Sequence, residues 1–315
     1  MTKSRILVLG AGGRLGHAAA MAFRDAGWSV IGLLRPGRSA DVPRGTQVRE
    51  VDASDHAAVA EAARGADVVL HALNPVYTEW SRHALPLAYS AIAAAESADA
   101  TLIFPGNLYN YGKGLPPIID EATPMLPSAR KGRLRVAIEE RMQEAAERGV
   151  RIIILRAGDF FGGGRGSWFD LVITKDIARG RLVYPGPLDL VHEWAYLPDL
   201  ATAMLRLAEI RDTLPPFATF GFPGHAMTGR ELTTAIARAA RSKLQVKGMS
   251  WWLVHALRPI VPLCRELSEI SYLWSKPHRI DDTKLASVIG AVPHTPLDVA
   301  VARALDDLGV GARAR

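Results

Sequence analysis

The sequence predicts an α/β fold: a doubly wound parallel sheet with a smaller region packed over its carboxyl edge. Three observations carry this. Short β-branched runs alternate with alanine-rich helical stretches through the first half of the 315-residue chain. Those runs are apolar throughout, the pattern of parallel strands covered on both faces. After residue 157 glycine, proline and aromatic residues become dense and strand-like runs become sparse.

The elements follow in order. "RILVLG" is a first strand, "RLGHAAAMAFRDAG" a helix, and "SVIGLLR" and "TQVREVD" the next two strands. Helix "HAAVAEAARG", strand "ADVVLHAL", helix "WSRHALPLAYSAIAAAESA" and strand "ATLIFPG" come next. After a proline-containing loop, helix "GRLRVAIEERMQEAAERG" and strand "VRIIILRAG" complete the alternation. Residues 1–157 thus read as the sheet core, with 190–210 rejoining it through helix "LATAMLRLAEI", which Asp199 is expected to cap. Residues 158–315, with helices "ELTTAIARAARS" and "PLDVAVARAL", read mainly as the region that covers a ligand.

Composition narrows the function. At 49% hydrophobic and 22% charged residues the chain is ordinary for a globular protein. Its one cysteine, Cys264, rules out an internal disulfide and a cysteine-based metal site, and suits a reducing cytoplasm. The histidines are dispersed, so no metal is expected. The net charge of +6 comes largely from scattered arginines with no lysine-rich tail, so no nucleic-acid partner is expected. No apolar run approaches the ~20 residues that span a bilayer, and the N-terminus lacks a secretory leader's apolar core. The nearest run, "MSWWLVHALRPIVPLC", is interrupted by His255, Arg258 and two prolines. It reads as a wall or lid of a cavity, and no membrane partner is expected.

"GAGGRLG" places Gly10, Gly13 and Gly16 three residues apart between the first strand and first helix, with Gly12, Arg14 and Leu15 among them. The first glycine permits a tight turn, the second lets backbone approach a pyrophosphate, and the third lets helix and strand close together. The helix N-terminus then attracts the phosphates. The second strand ends "IGLLRPGR", with Arg35 where an NAD-selective site usually has a carboxylate, and Arg38 beyond it. Together with Arg14 these guanidinium groups suit a 2′-phosphate, which favours NADP(H) over NAD(H).

With these residues the chain resembles the extended short-chain dehydrogenase/reductase family, the NAD(P)-dependent epimerase/dehydratase group. "VREVDASD" and "DVVLHALNP" look like two of its cofactor segments. By that resemblance Asp52 would meet the adenine amino group, and Ala72, Leu73 and Asn74 would lie beside the cofactor. "NLYNYG" is similar to the family's Ser-Ser/Thr-x-x-Val-Tyr-Gly, and "ILRAGDFFG" to its Arg-x-x-Asn-Val-Tyr-Gly. "HEWAYLPDLATAM" and "PHRIDDTKLASVIGAVPHTPLDVAVARAL" extend the likeness to nearly the whole chain. It implies oxidation or reduction at a carbonyl or hydroxyl, and a homodimer formed through helices.

The chain departs from the family at the catalytic positions. The resemblance implies a Ser/Thr, a Tyr and a Lys four residues further on, since i and i+4 share a helix face. Those positions hold Asn107, Lys131 and Arg135. Three readings stay open. Lys131 could serve as acid or base, its pKa lowered by its setting. Tyr109 or Tyr111 could supply the proton, both facing one way only if their segment is extended. Or the protein could bind NADP(H) as a sensor without turnover.

For the substrate side the sequence offers Phe160, Phe161, Trp168, His192 and Trp194, with Trp251, Trp252 and Trp274 behind them. "FFGGGRGSWF" reads as a loop closing over a small, fairly apolar molecule. Arg165 is the only obvious anchor for a diphosphate. His192 and Glu193, adjacent in a strand, cannot both face one pocket.

Overall fold

The structure, a computed structural model, describes residues 3–37 and 42–311. The chain runs β1 (Arg5–Leu9), α1 (Arg14–Asp25), β2 (Ser29–Leu34), β3 (Gln47–Glu50), α2 (His56–Ala62), β4 (Val68–His71), α3 (Trp80–Ala98) and β5 (Thr101–Gly106). Then come β6 (Ile118–Ile119), α4 (Arg130–Glu147), β7 (Ile152–Arg156) and β8 (Asp159–Phe161). The rest comprises β9 (Arg181–Tyr184), β10 (Val191–Tyr196), α5 (Leu197–Glu209), β11 (Phe217–Gly221), β12 (His225–Thr228) and α6 (Gly229–Ala239). It ends with β13 (Gln245–Gly248), α7 (Trp251–Leu257), α8 (Pro262–Ile270), β14 (Arg279–Ile280), α9 (Thr283–Ile289) and α10 (Leu297–Asp307).

Seven parallel strands form the central sheet in the order β11-β7-β5-β4-β1-β2-β3. It is the doubly wound (Rossmann) α/β sheet that the apolar runs predict. Residues Ile6–Leu9 and Ile152–Leu155 have no exposed surface. Each such side chain contributes about 1.5–3 kcal/mol relative to leaving it in water. On one face α1 and α5 bury Ala19, Phe23, Leu200 and Met204 against the sheet. On the other, α2, α3 and α4 bury Val59, Ala91, Ile138 and Met142. The strand order reverses between β1 and β4, which opens a crevice at the carboxyl ends of those strands.

Four features were not read from the sequence. β11 joins the sheet as its edge strand although "FATFG" is short and sits among prolines. The second half is richer in strands than expected, with a β12-β10-β8 sheet and the two-stranded pairs β13-β9 and β14-β6. Asp199 does not cap α5: its carboxylate accepts from Thr295 N (2.6 Å) and Thr295 Oγ1 (2.7 Å) and so anchors the C-terminal segment. Helix α4 begins two residues earlier than its apolar pattern suggested, which puts Lys131 in its first turn.

Candidate active site

The glycine loop forms a cradle at the carboxyl end of β1. Gly10 has φ 85°, and a Cβ there would press against the Ala72 carbonyl oxygen at 3.1 Å. A Cβ on Gly16 would collide with the Gly10 carbonyl. Helix α1 therefore starts tight against the strand, and no side chain caps it and no acidic residue occupies its first turn. An uncapped helix start of this kind leaves its first N–H groups to an anion such as a dinucleotide's pyrophosphate. Leu15 is buried beneath the helix, and Ala72 is tied to Leu9 by a 3.0 Å backbone bond. Leu73 and Asn74 line a small recess with His71, Trp80 and Arg135. The glycine cradle and an unpartnered Arg135 Nε at the recess suit a nicotinamide dinucleotide.

Of the basic groups expected at a 2′-phosphate, Arg14 and Arg35 lie among the described residues. Arg14 is turned away from it: Nη2 donates to the Gly162 carbonyl at 2.7 Å. Burial pushes its pKa down to about 10 against the pull of Asp170 and Asp307. It ties the cofactor loop to the glycine-rich loop 162–166, which Asp170 holds through Gly166 N and Ser167 N. Arg35 is exposed at the end of β2. Hydrogen bonds from Ser54 N and Oγ hold Asp52 below the usual carboxylate range, with Arg35 adding a smaller pull. Glu50, which the sequence reading passed over, accepts from Gly37 N at 3.0 Å and brings a carboxylate to the same turn. Arg38 lies outside the described residues.

At the catalytic positions Lys131 is fully buried and forms an ion pair with Glu266 of α8. Arg130 Nη2 binds the other Glu266 oxygen at 2.6 Å. Burial lowers the Lys131 pKa and Glu266 pulls it partly back. Burial would raise Glu266, but the bonds from Lys131 and Arg130 outweigh it and hold the carboxyl low. Lys131 Nζ lies 5.3 Å from the centroid of the Tyr77 ring. The Tyr77 hydroxyl meets the Tyr109 hydroxyl at 2.8 Å. Burial pushes Tyr77 up to about 12 and Tyr109 well above its ordinary value.

Arg135 lies one turn along from Lys131. Its guanidinium sits 4.6 Å from the Phe104 centroid and 5.6 Å from that of Trp80, and Nη2 donates to the Pro105 carbonyl at 2.7 Å. Burial lowers its pKa to about 10. Asn107 Oδ1 accepts from Tyr109 N at 3.0 Å. Residues 109–114 form a 3₁₀ turn, so Tyr109 and Tyr111 diverge instead of sharing one face. Tyr111 lies 5.4 Å from the Arg156 guanidinium, which is paired with Glu139 at 2.7 Å and with the Asn107 carbonyl at 2.8 Å. It belongs to that buried network.

Beside Tyr109 a cavity of ≈ 30 Å³ is lined by Asn107, Tyr109, Gly158, Asp159, His192 and His278, with Leu273 over it. His192 Nε2 meets Asp159 Oδ2 at 2.8 Å, its ring stacks on Trp274 at 4.2 Å, and the His278 ring is 4.5 Å away. Burial pushes His278 down to about 3, so it is neutral. Of the five expected pocket residues, only His192 lines this cavity. Phe161 and Trp194 are core residues, their rings 6.4 Å apart. Trp168 packs on Trp274 at 5.1 Å, and Phe160 packs toward the sheet core. Glu193 faces away and accepts from Ile280 N at 2.9 Å. Asp159, Tyr77, Glu266 and His278 were missed. Only Asp159 carried a signal, standing where "ILRAGDFFG" matches an asparagine.

The sequence model of the NAD dependent epimerase/dehydratase family matches residues 6–220. A 3-diazoavenalumate denitrifying reductase from a Streptomyces species is 24% identical over 298 residues, covering 87% of this chain and 96% of that protein. A UDP-glucose 4-epimerase from Brucella ovis, solved with NAD, superposes with a TM-score of 0.77 at 18% identity, covering 96% of this chain and 97% of that one. The UDP-Glc/GlcNAc 4-epimerase from Campylobacter jejuni gives 0.75 at 17% identity, covering 96% and 98%. Among the described residues no group of side chains could hold a metal, and no helix is long and apolar enough to cross a membrane.

Proposed function

The chain belongs to the NAD dependent epimerase/dehydratase family, and on that premise we propose that it is an NADP(H)-dependent reductase acting on a carbonyl of a small, fairly apolar molecule. The observation that carries this reading is the buried Tyr77–Tyr109 hydroxyl pair at the cavity wall, with Lys131 behind it. When bound, the cofactor supplies the hydride to the carbonyl carbon. The oxygen left behind needs a proton. Tyr109, its pKa raised, stays protonated at neutral pH and is a weaker base than an alkoxide, so it acts as the donor. Tyr77 refills Tyr109, and Lys131, kept charged by Glu266, stands behind Tyr77. The Asn107 amide, its oxygen occupied by Tyr109 N, has its NH₂ to orient the substrate oxygen. Arg135 Nε is the unpartnered donor for the cofactor's ribose side.

Two points favour reduction of a small molecule over sugar-nucleotide epimerisation. The full-length relative named above is a reductase. Arg165, the one diphosphate anchor in the sequence, instead donates to the Leu308 carbonyl at 3.3 Å. Loss of NADPH absorbance across a panel of apolar aldehydes and ketones tests the reading. Silence across the panel with tight NADPH binding by calorimetry would establish the alternative, a cofactor-binding sensor without turnover.

A further inference from the structure

We propose that the outer face of α7 and the α7–α8 turn docks the protein on an anionic lipid bilayer. No residue of α7 is buried. Trp252 is 73% exposed, Ile260 80%, Leu263 51% and Leu253 43%: four large apolar side chains within twelve residues. The inner face of the same helix pair is already engaged. Trp251 Nε1 donates to the Pro185 carbonyl at 2.5 Å, and Glu266 and Ile270 are buried. The outward side chains are therefore surplus to the packing of the domain, and a contiguous exposed apolar patch marks an interaction surface.

The charge around the patch identifies the occupant. From Leu232 to Arg265 the chain has no acidic residue and carries Arg238, Arg241, Lys243, Lys247, Arg258 and Arg265. The acids that follow, Glu266 and Glu269, are drawn inward to Arg130. Arg238 is paired with Asp298, and Arg265 lies 3.4 Å from Glu266. That leaves the exposed Arg241, Lys243, Lys247 and Arg258 as the basic groups that, with Trp252 and Ile260, suit the boundary between anionic headgroups and acyl chains. A second copy fits poorly, because a two-fold contact through this patch would set like charges face to face. At seven and nine residues the two helices would lie in the interface and not span it. Sequence alone gave no membrane partner; the exposure of these side chains is what points to one. The inference does not rest on the reaction proposed above.

Co-sedimentation of the full-length protein with vesicles tests it. Vesicles of phosphatidylcholine with 30% phosphatidylglycerol should retain the protein, and pure phosphatidylcholine should not. Raising the salt should release it. The pairs Trp252→Ser with Ile260→Ser, and Lys247→Glu with Arg258→Glu, should each weaken binding roughly tenfold or more, with thermal midpoints unchanged because these residues are exposed. Absence of binding to anionic vesicles, or binding that neither pair alters, overturns the proposal. So does a fall in oligomeric mass of the Trp252→Ser, Ile260→Ser variant in sedimentation velocity, which would make the patch a contact between copies.

Discussion

At the scale of single residues the chemistry turns on three side chains. Tyr109→Phe should cut turnover by ~10²–10⁴-fold while leaving NADPH affinity nearly unchanged, since only proton transfer is lost. Stopped-flow hydride transfer and calorimetry read the two separately. Lys131→Met should likewise abolish turnover and spare cofactor binding. Glu266→Gln removes the charge that raises the Lys131 pKa. Lys131 then loses its proton at lower pH, and the basic limb of the kcat/KM profile should move down. An unmoved limb would mean that Lys131's charge plays no part in turnover. The sequence showed Lys131 and Arg135 at the right spacing. It could not show Glu266, which lies 135 residues away and reaches Lys131 only because α8 folds over α4.

At the scale of elements, short turns decide which side chains meet. The end of "NLYNYG" enters a 3₁₀ segment, residues 109–114, that Gly112, at φ 62°, kinks in its middle. That sends Tyr109 to the cavity and Tyr111 to Arg156. The turn rests on a buried pair, since Glu139 of α4 binds both Arg156 and Asn110 and Arg156 holds the Asn107 carbonyl. Glu139→Ala would leave a buried guanidinium unpaired and should cost about 3–5 kcal/mol in chemical denaturation. Gly16→Ala tests the cofactor cradle: the added methyl meets the Gly10 carbonyl, so NADPH affinity should fall at least tenfold. Retained affinity would place the dinucleotide elsewhere. Arg35→Ala should weaken NADPH more than NADH, and equal losses would remove the 2′-phosphate from Arg35.

At the scale of the molecule, burial sets the response to acid. His71 and His278 are pushed down to about 3 and His225 to about 4, in each case chiefly by desolvation. Below ~6.5 the unfolded chain takes up protons that the folded chain refuses, so stability is full above that value and falls as pH drops toward 4. Each histidine should cost about 1 kcal/mol per pH unit in that window. Thermal midpoints measured from pH 7.5 to 5 should decline accordingly, and His278→Asn should flatten the slope. A midpoint independent of pH would mean that these rings titrate as they do in water.

The sequence by itself determined the parallel, doubly wound character of the sheet, though not its edge strand β11, and the glycine loop after β1. Each of these rests on local regularities: apolar runs too uniform for a half-exposed strand, and glycines at a spacing that only a close backbone approach demands. Tertiary structure alone decided which groups could act. Arg14 was drawn from phosphate to the Gly162 carbonyl, Phe161, Trp168 and Trp194 into packing, and Asp159 and His278 to the cavity. The physical reason is that a pocket is assembled from side chains far apart in the chain. Their direction and protonation follow from burial and from partners that no local pattern encodes.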